Sequence, residues 1–205
     1  MKYDSTFHEA HTLADGTHVT LRFIRPDDAD ELRRQFARLS PESRYRRFLS
    51  GATELTDDKV RYLTETDGVN HVAIVATTES LDLRSEIGLG VARFIKLADE
   101  PHVAEAAVTV VDEMQGKGIG RLLLVLLGKI ARDRGVHTIR AEVLASNEPM
   151  REILREVGAV VRADDGLTMA FDIPVAAAGD AAEHASPLRR LFRAIAGALT
   201  SLGAG

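Results

Sequence analysis

The chain of 205 residues is long enough for one domain with a sizeable core, and its 45% hydrophobic and 28% charged residues exclude a disordered or fibrous class. A net charge of −5 argues against a general nucleic-acid-binding protein, and an acidic surface favours a cationic substrate. The chain has no cysteine, which excludes disulfides, a thiolate nucleophile and a sulfur-ligated zinc site. Because its N-terminus also lacks the apolar segment of a signal peptide, we expect a cytoplasmic location.

The first half of the chain predicts a strand, three helices and a group of three strands. Alternating apolar residues indicate the first strand, which Pro26 ends, and the acidic residues that follow suit the positive N-terminal end of a helix. Segments rich in Val, Ile and Ala between polar turns indicate the later strands. The predicted ranges are a strand at 19–24, a helix ending near Arg38, a helix that carries residues 44–48 after an N-cap at Ser40, a helix beginning near Thr56, and strands at 71–77, 86–94 and 103–111.

The second half predicts a buried helix, a strand, another helix and a hairpin. The apolar run at 122–127 should bury the first of these helices, and Gly135 is placed to end it. The predicted ranges are a helix at 118–134, a strand at 138–144, a helix at 147–157 and a hairpin of 159–163 with 167–172. The domain is expected at 17–173, after an N-terminal extension at 1–16 and before a small-residue linker at 174–187 and an amphipathic helix at 188–205.

A glycine-rich loop joins the last strand of the three to the buried helix. Alternate glycines accept positive φ, their N–H groups can converge on an anion, and the helix N-terminus adds a favourable dipole, so a diphosphate is the natural ligand. The spacing matches neither the Rossmann nor the Walker A pattern. The candidate binding residues are Gln115, Gly116, Lys117, Gly118, Ile119 and Gly120, with Arg121 as a further source of charge.

This loop resembles the acyl-CoA loop, Gln/Arg-x-x-Gly-x-Gly/Ala, of the GNAT N-acetyltransferase superfamily, over roughly residues 17–173. The resemblance implies an α/β (α+β) fold with a mixed, mostly antiparallel central sheet flanked by helices. It also implies acetyl-CoA as cosubstrate and no metal. Three features are similar to the bacterial Pat-type protein lysine acetyltransferases, namely Ser-Arg-Tyr-Arg-Arg-Phe at 43–48, Asp67 before His71, and Ala-Glu-Ala-Ala-Val at 104–108.

The Pat-type resemblance places a general base at Glu105. A lysine amine has a reference pKa near 10.4 and must lose a proton before it attacks a thioester, and a carboxylate can take that proton. The alternative is a strand glutamate that only faces solvent. The resemblance also implies that this strand splays from its neighbour and offers its backbone to the pantetheine arm and the acetyl carbonyl, through Ala107, Val108, Thr109 and Val110.

The helix predicted at 147–157 carries a second expected contact with the cofactor and one departure from the family's sequence pattern. The resemblance places Asn147 beside the pantetheine arm, although an asparagine there can also simply cap its helix. Many family members have a tyrosine seven residues later as the acid for the thiolate, and this chain has Leu154. No other acid is visible in the sequence.

Other polar residues are weaker candidates. His8 and His11 have loose metal-like spacing without further ligands, and His71 suits strand packing or a satisfied polar contact. The arginines at 44, 46 and 47 suit a solvated helix face, or the acceptor side of the cleft as the family resemblance implies.

The favoured function is acetylation of protein lysines by direct transfer. A small-molecule amine acetyltransferase and a noncatalytic acyl-CoA-binding module are the alternatives. We expect no nucleic-acid partner, and no regulatory domain within the short segment before the first strand. The C-terminal helix could pack on its own domain, on a second subunit or on a membrane surface. The sequence does not predict the oligomeric state.

Overall fold

The computed structural model describes residues 3–48, 54–80, 85–156 and 158–175. The predicted helix at 188–205 lies outside these residues, as does the linker at 174–187 apart from Pro174 and Val175. Within the described ranges, no helix combines the length and the apolar character that crossing a membrane requires.

The described residues form eight strands and five helices. The strands are β1 (His8–Thr12), β2 (His18–Phe23), β3 (His71–Glu79), β4 (Glu86–Lys96), β5 (Val103–Val110), β6 (Thr138–Leu144), β7 (Val160–Asp164) and β8 (Thr168–Pro174). The helices are α1 (Ala29–Ala37), α2 (Pro41–Phe48), α3 (Asp57–Thr64), α4 (Ile119–Asp133) and α5 (Glu148–Glu156). The predicted starts of α2 and α3 are confirmed, because Ser40 Oγ accepts from the Ser43 N–H at 3.1 Å and Thr56 Oγ1 from the Lys59 N–H at 3.4 Å.

All eight strands belong to one sheet in the order β1-β2-β3-β4-β5-β6-β8-β7. Every pairing is antiparallel except that of β5 with β6. Parallel neighbours need a crossover, and α4 supplies it between these two strands. The predicted mixed, mostly antiparallel sheet with flanking helices is therefore confirmed.

Apolar side chains pack on both faces of the sheet. Helix α4 contacts β3, β4 and β5, and its Leu123 and Ile130 are fully buried in one cluster with Ala92 and Phe94 of β4. On the opposite face α1 contacts β4 and α2 contacts β5. Because α4 covers one face and α1 to α3 cover the other, alternate residues of β4 and β5 point into two different environments.

Strand β1 is the element that the sequence analysis did not predict. It pairs with β2 from His8–Arg22 to Thr12–His18. The chain before it is also anchored, because Tyr3 is buried and its carbonyl oxygen accepts from Arg134 Nη2 at 2.6 Å. Residues 3–16 thus pack on the same sheet as the rest of the described chain.

Candidate active site

The glycine-rich loop leads from β5 into the first turn of α4. Gly116 and Gly118 have φ of 75° and 92°, and Gly118 is the N-cap residue of α4. A Cβ at either position would meet no atom within 4 Å, so the left-handed backbone rather than crowding requires glycine. The first N–H groups of a helix have no intrahelical acceptor, so the turn that contains Gly120 and Arg121 presents donors and the positive end of the helix dipole.

The side chains of two predicted loop residues have structural roles. Gln115 Nε2 donates to the Val110 carbonyl oxygen at 3.1 Å and to Ser43 Oγ at 3.2 Å, which links the loop to the end of β5 and to α2. Ile119 is 1% exposed and packs in the core under α4. Only the backbone of Ile119 remains for a ligand.

The predicted charge at the loop is partly shared with the N-terminal hairpin. Lys117 Nζ lies 3.0 Å from Asp15 Oδ2, in the turn between β1 and β2. The hydroxyl of Thr17 and then Lys117 lower the pKa of Asp15 to about 2. Arg121 is half-buried in the first turn of α4. Asp15 therefore orients the side chain of Lys117, which lies between the two loop glycines.

Strands β5 and β6 separate beyond Glu105. Their parallel pairing runs only from Val103–Thr138 to Glu105–Arg140, whereas the pairing of β5 with β4 continues to Gly90–Val110. Along Ala107, Val108, Thr109 and Val110, the edge of β5 that faces β6 makes no ladder pairing in the described part of the chain. This opening exposes backbone donors and acceptors beside small side chains, as an extended ligand with amide groups requires.

The two faces of β5 differ in their neighbours. Ala104 is fully buried, and Ala106, Val108 and Val110 pack on the same cluster under α4. Glu105 points to the other face and is exposed. Its register partner on β4 is Ile95, whose partner on β3 is His71.

The carboxylate of Glu105 makes no hydrogen bond or ion pair within the described residues. Its neighbour across the parallel pairing is Arg140, whose guanidinium instead contacts Asp172 at 2.9 Å and Glu100 at 3.1 Å. The carboxylate is thus available to a group that enters from the side of α1 to α3.

The Asp67–His71 motif orders the entry into β3. Asp67 Oδ1 accepts from the N–H groups of Val69, Asn70 and His71 at 2.8 Å each. His71 Nε2 lies 3.1 Å from Arg93 Nη1, so the predicted polar contact of this histidine is confirmed. Burial and then the charge of Arg93 lower the pKa of His71, which keeps the ring neutral at neutral pH.

A cavity between α1 to α3 and the sheet is lined by Arg47, for which the family resemblance implied a place on the acceptor side of the cleft, and by Arg93 and Thr109, whose side chains the sequence analysis did not single out. Its polar lining comes from Gln35 of α1, Arg47 of α2, Arg93 of β4 and Thr109 of β5, and its apolar lining includes Phe48 and Leu63. We call it the arginine cavity. A buried arginine in the otherwise apolar stretch of β4 was the sequence signal that could have found it.

Helix α5 positions the last two predicted residues. Asn147 precedes the helix, and its Oδ1 accepts from the Met150 N–H at 3.4 Å, a weak N-cap bond. Leu154 is 4% exposed and packs in a cluster with Val143 and Phe171. A leucine in this environment serves packing and has no proton to donate.

Comparison with known proteins identifies the family. The family model described as "Acetyltransferase (GNAT) domain" matches residues 18–160. An acetyltransferase of Pseudomonas aeruginosa is 32% identical over 158 residues, which cover 77% of this chain and 83% of that protein. The acetyltransferase Pat of Mycolicibacterium smegmatis is 36% identical over 161 residues, which cover 78% of this chain and 47% of that protein. The chain thus spans about half the length of this Pat.

Solved structures agree with this assignment. The GNAT domain of S. lividans PAT superposes with a TM-score of 0.75 at 27% identity, covering 84% of this chain and 99% of that one. The structure of yncA from Salmonella typhimurium with its cofactor acetyl-CoA has the same fold, with a TM-score of 0.61 at 20% identity over 82% of this chain and 97% of that one. The chain belongs to the GNAT acetyltransferase family, and its relatives within that family include Pat.

Proposed function

We propose that this acetyltransferase uses acetyl-CoA to acetylate lysine side chains of proteins by direct transfer, with Glu105 as the general base. The observation that carries the proposal is the place of Glu105, an exposed carboxylate without a partner in the described chain, at the point where β5 leaves β6. The resemblance of residues 43–48 and 104–108 to the Pat-type lysine acetyltransferases, and the identity to Pat itself, support a protein acceptor.

The glycine loop and the open edge of β5 fit acetyl-CoA. The N–H groups from Gly116 to Arg121 suit the diphosphate, with Lys117 beside them, and Gln115 holds the loop in place. The backbone from Ala107 to Val110 suits the amide-containing arm, and Asn147 is proposed to contact the same arm. Acetyl-CoA, when bound, supplies an acetyl group activated as a thioester.

The residues of the chain then have distinct tasks. The acceptor lysine arrives largely protonated, and the Glu105 carboxylate takes its proton directly or through a water molecule. Backbone N–H groups of residues 107–110 donate to the acetyl oxygen as negative charge develops there. Leu154 donates no proton to the leaving group, which sets this site apart from family members with a tyrosine at that position.

The most direct test is treatment of a cell lysate with the purified protein and isotope-labelled acetyl-CoA, followed by mass spectrometry. We expect labelled lysines in proteins, and far fewer with the Glu105→Gln variant. Label confined to small amines would favour the small-molecule alternative. Absence of any labelled product, with acetyl-CoA binding intact, would indicate a noncatalytic binding module.

A further inference from the structure

Arg93 is a buried cation without a carboxylate partner. It lies in the middle of β4 and is 5% exposed. Its Nη1 lies 3.1 Å from His71 Nε2, and its Nη2 donates to the Leu63 carbonyl oxygen at 3.2 Å. Its buried Nε has no hydrogen-bond partner within the described residues. Among the described residues, no Asp or Glu forms an ion pair with it. A buried charge without a counterion lowers the stability of the fold, and a ligand of opposite charge would remove this penalty.

The other buried arginines of the described chain have such partners. Arg22 contacts Asp28 at 2.7 Å and also contacts Glu86, and Arg134 contacts Asp133. Arg93 instead faces a second cation, since Arg47 lines the same cavity and makes no ion pair within the described residues. Burial and then the charge of Arg47 lower the pKa of Arg93 to about 9, and burial lowers the pKa of Arg47. Residues 49–53, which follow α2, contain no Asp or Glu.

A second buried polar atom in the arginine cavity also lacks a partner. Thr109 Oγ1 makes no hydrogen bond within the described residues. Thr109 points to the same face of β5 as Glu105, four residues further along the strand. The cavity has about 40 Å³ open to water-sized groups, room for about three or four water molecules. This space accommodates the carboxylate end of an acidic side chain.

We propose that the arginine cavity is a carboxylate site that holds an acidic group of the substrate during transfer. Two guanidinium groups offer planar pairs of N–H donors that match the two oxygens of a carboxylate, and the Thr109 hydroxyl adds a third donor. The inference rests on the proposed lysine acetylation in that the acidic group belongs to a residue next to the acceptor lysine. The same chemistry would also hold the free carboxylate of a dicarboxylic acyl group.

Binding can be tested without turnover by thermal unfolding in low salt with glutarate or with the neutral glutaramide. At roughly five times its dissociation constant, glutarate should raise the unfolding midpoint by about 2–4 °C, and glutaramide should have no effect. The rise should persist in Arg46→Met, an exposed control on the same helix, and vanish in Arg93→Met. If Arg93→Met does not fold, Arg47→Met replaces it. Equal midpoints with glutarate and glutaramide in the wild-type protein would overturn the proposal.

Turnover then identifies the source of the carboxylate. Two lysine peptides that differ only in having Glu or Gln beside the lysine are each assayed with acetyl-CoA as the acyl donor. In a second comparison, succinyl-CoA and butyryl-CoA are each assayed as acyl donors with the Gln peptide. We expect kcat/KM to be about tenfold higher for the Glu peptide, with the ratio near one in Arg93→Met. A ratio above one only with succinyl-CoA places the carboxylate on the acyl group. Ratios of one in both comparisons overturn the proposal. If no peptide is acylated while glutarate still binds, lysine acetylation is overturned and the carboxylate site remains supported.

Discussion

Glu105 is positioned by strand register and not by contacts of its own side chain. The residues before and after it, Ala104 and Ala106, pack under α4 and fix which way the strand faces. Arg140 lies next to it but is already engaged by Asp172 and Glu100. The carboxylate is therefore oriented by the backbone and left chemically available, as a base that must exchange protons with a substrate requires.

Replacing Glu105 by Gln should lower the turnover of lysine acetylation at neutral pH by a factor of about 10² to 10⁴, because Gln keeps the size but cannot accept a proton. The deficit should shrink as the pH rises toward the lysine pKa near 10.4, where the free amine is already present. Steady-state rates across pH with a lysine peptide measure this. Glu142→Gln, an exposed glutamate on β6, is the matched control. Equal rates for the Glu105 variant and wild type would contradict its proposed role as base.

His71 should make the fold less stable in mild acid. Its pKa is lowered in the folded state by burial and by Arg93, so below the unfolded value near 6.5 the unfolded chain binds more protons. Stability is then kept above pH 6.5 and lost as the pH falls through that value. Because the ring is only half-buried, we expect a loss of up to about 1 kcal/mol at pH 5.5. Urea unfolding at pH 7.5 and 5.5 should show a smaller decline in His71→Gln, and an identical decline in both proteins would refute this.

At the scale of single elements, the loop before α4 carries the strongest expectation for cofactor binding. Acetyl-CoA at 100 times its dissociation constant should stabilise the wild-type fold by about 2.7 kcal/mol, and Gly118→Asp should abolish this gain because a negative side chain enters the proposed diphosphate site. Gly135→Asp is a matched control, since Gly135 also has positive φ and open surroundings but lies at the other end of α4. Thermal unfolding with and without ligand separates the two. A full gain in Gly118→Asp would refute the loop assignment.

Elements with a strong local signal were predictable from the sequence. The caps at Ser40 and Thr56 and the apolar run of α4 depend on neighbouring residues, and all three are confirmed. Strand β1 was missed because His8–Thr12 is a polar, half-exposed edge strand whose partner lies beyond a turn. Edge strands need little apolar character, so periodicity does not reveal them.

The candidate site was predictable where one local motif carries it and not where distant segments meet. The glycine loop and Glu105 lie within one short stretch of chain. The arginine cavity joins Arg47, Arg93 and Thr109 from three elements, and the carboxylate site proposed there depends on the lack of an Asp or Glu partner for these arginines among the described residues. The sequence pattern predicts that Gln115 binds ligand, but its side-chain bonds to Ser43 and Val110 depend on the packing of α2 against β5, which no local pattern predicts.

At the scale of the whole molecule, the chain before residue 17 should contribute to folding. Tyr3 is buried, its ring lies 5.1 Å from that of Phe7, and its carbonyl oxygen binds Arg134 at the end of α4. Tyr3→Ala should lower the free energy of unfolding by about 3 kcal/mol, as truncation of a buried aromatic does. Tyr45→Ala, at a tyrosine that is 50% exposed, should change it by less than about 0.5 kcal/mol. Denaturant unfolding measures both, and equal small effects would make residues 1–16 a dispensable extension.

The separation of β5 from β6 also bears on cooperativity. In the described chain, three register pairs join the half of the sheet from β1 to β5 to the half formed by β6, β8 and β7, and the core under α4 spans both halves through Ile139 and Ile173. Packing rather than backbone hydrogen bonding therefore holds most of this boundary together, and few hydrogen bonds are lost when it opens locally. A ligand arm bonded to β5 and packed toward β6 would act as a substitute strand across that boundary. Cofactor binding would then add backbone hydrogen bonds where β5 and β6 separate, and the enzyme would be most rigid when it is loaded for transfer.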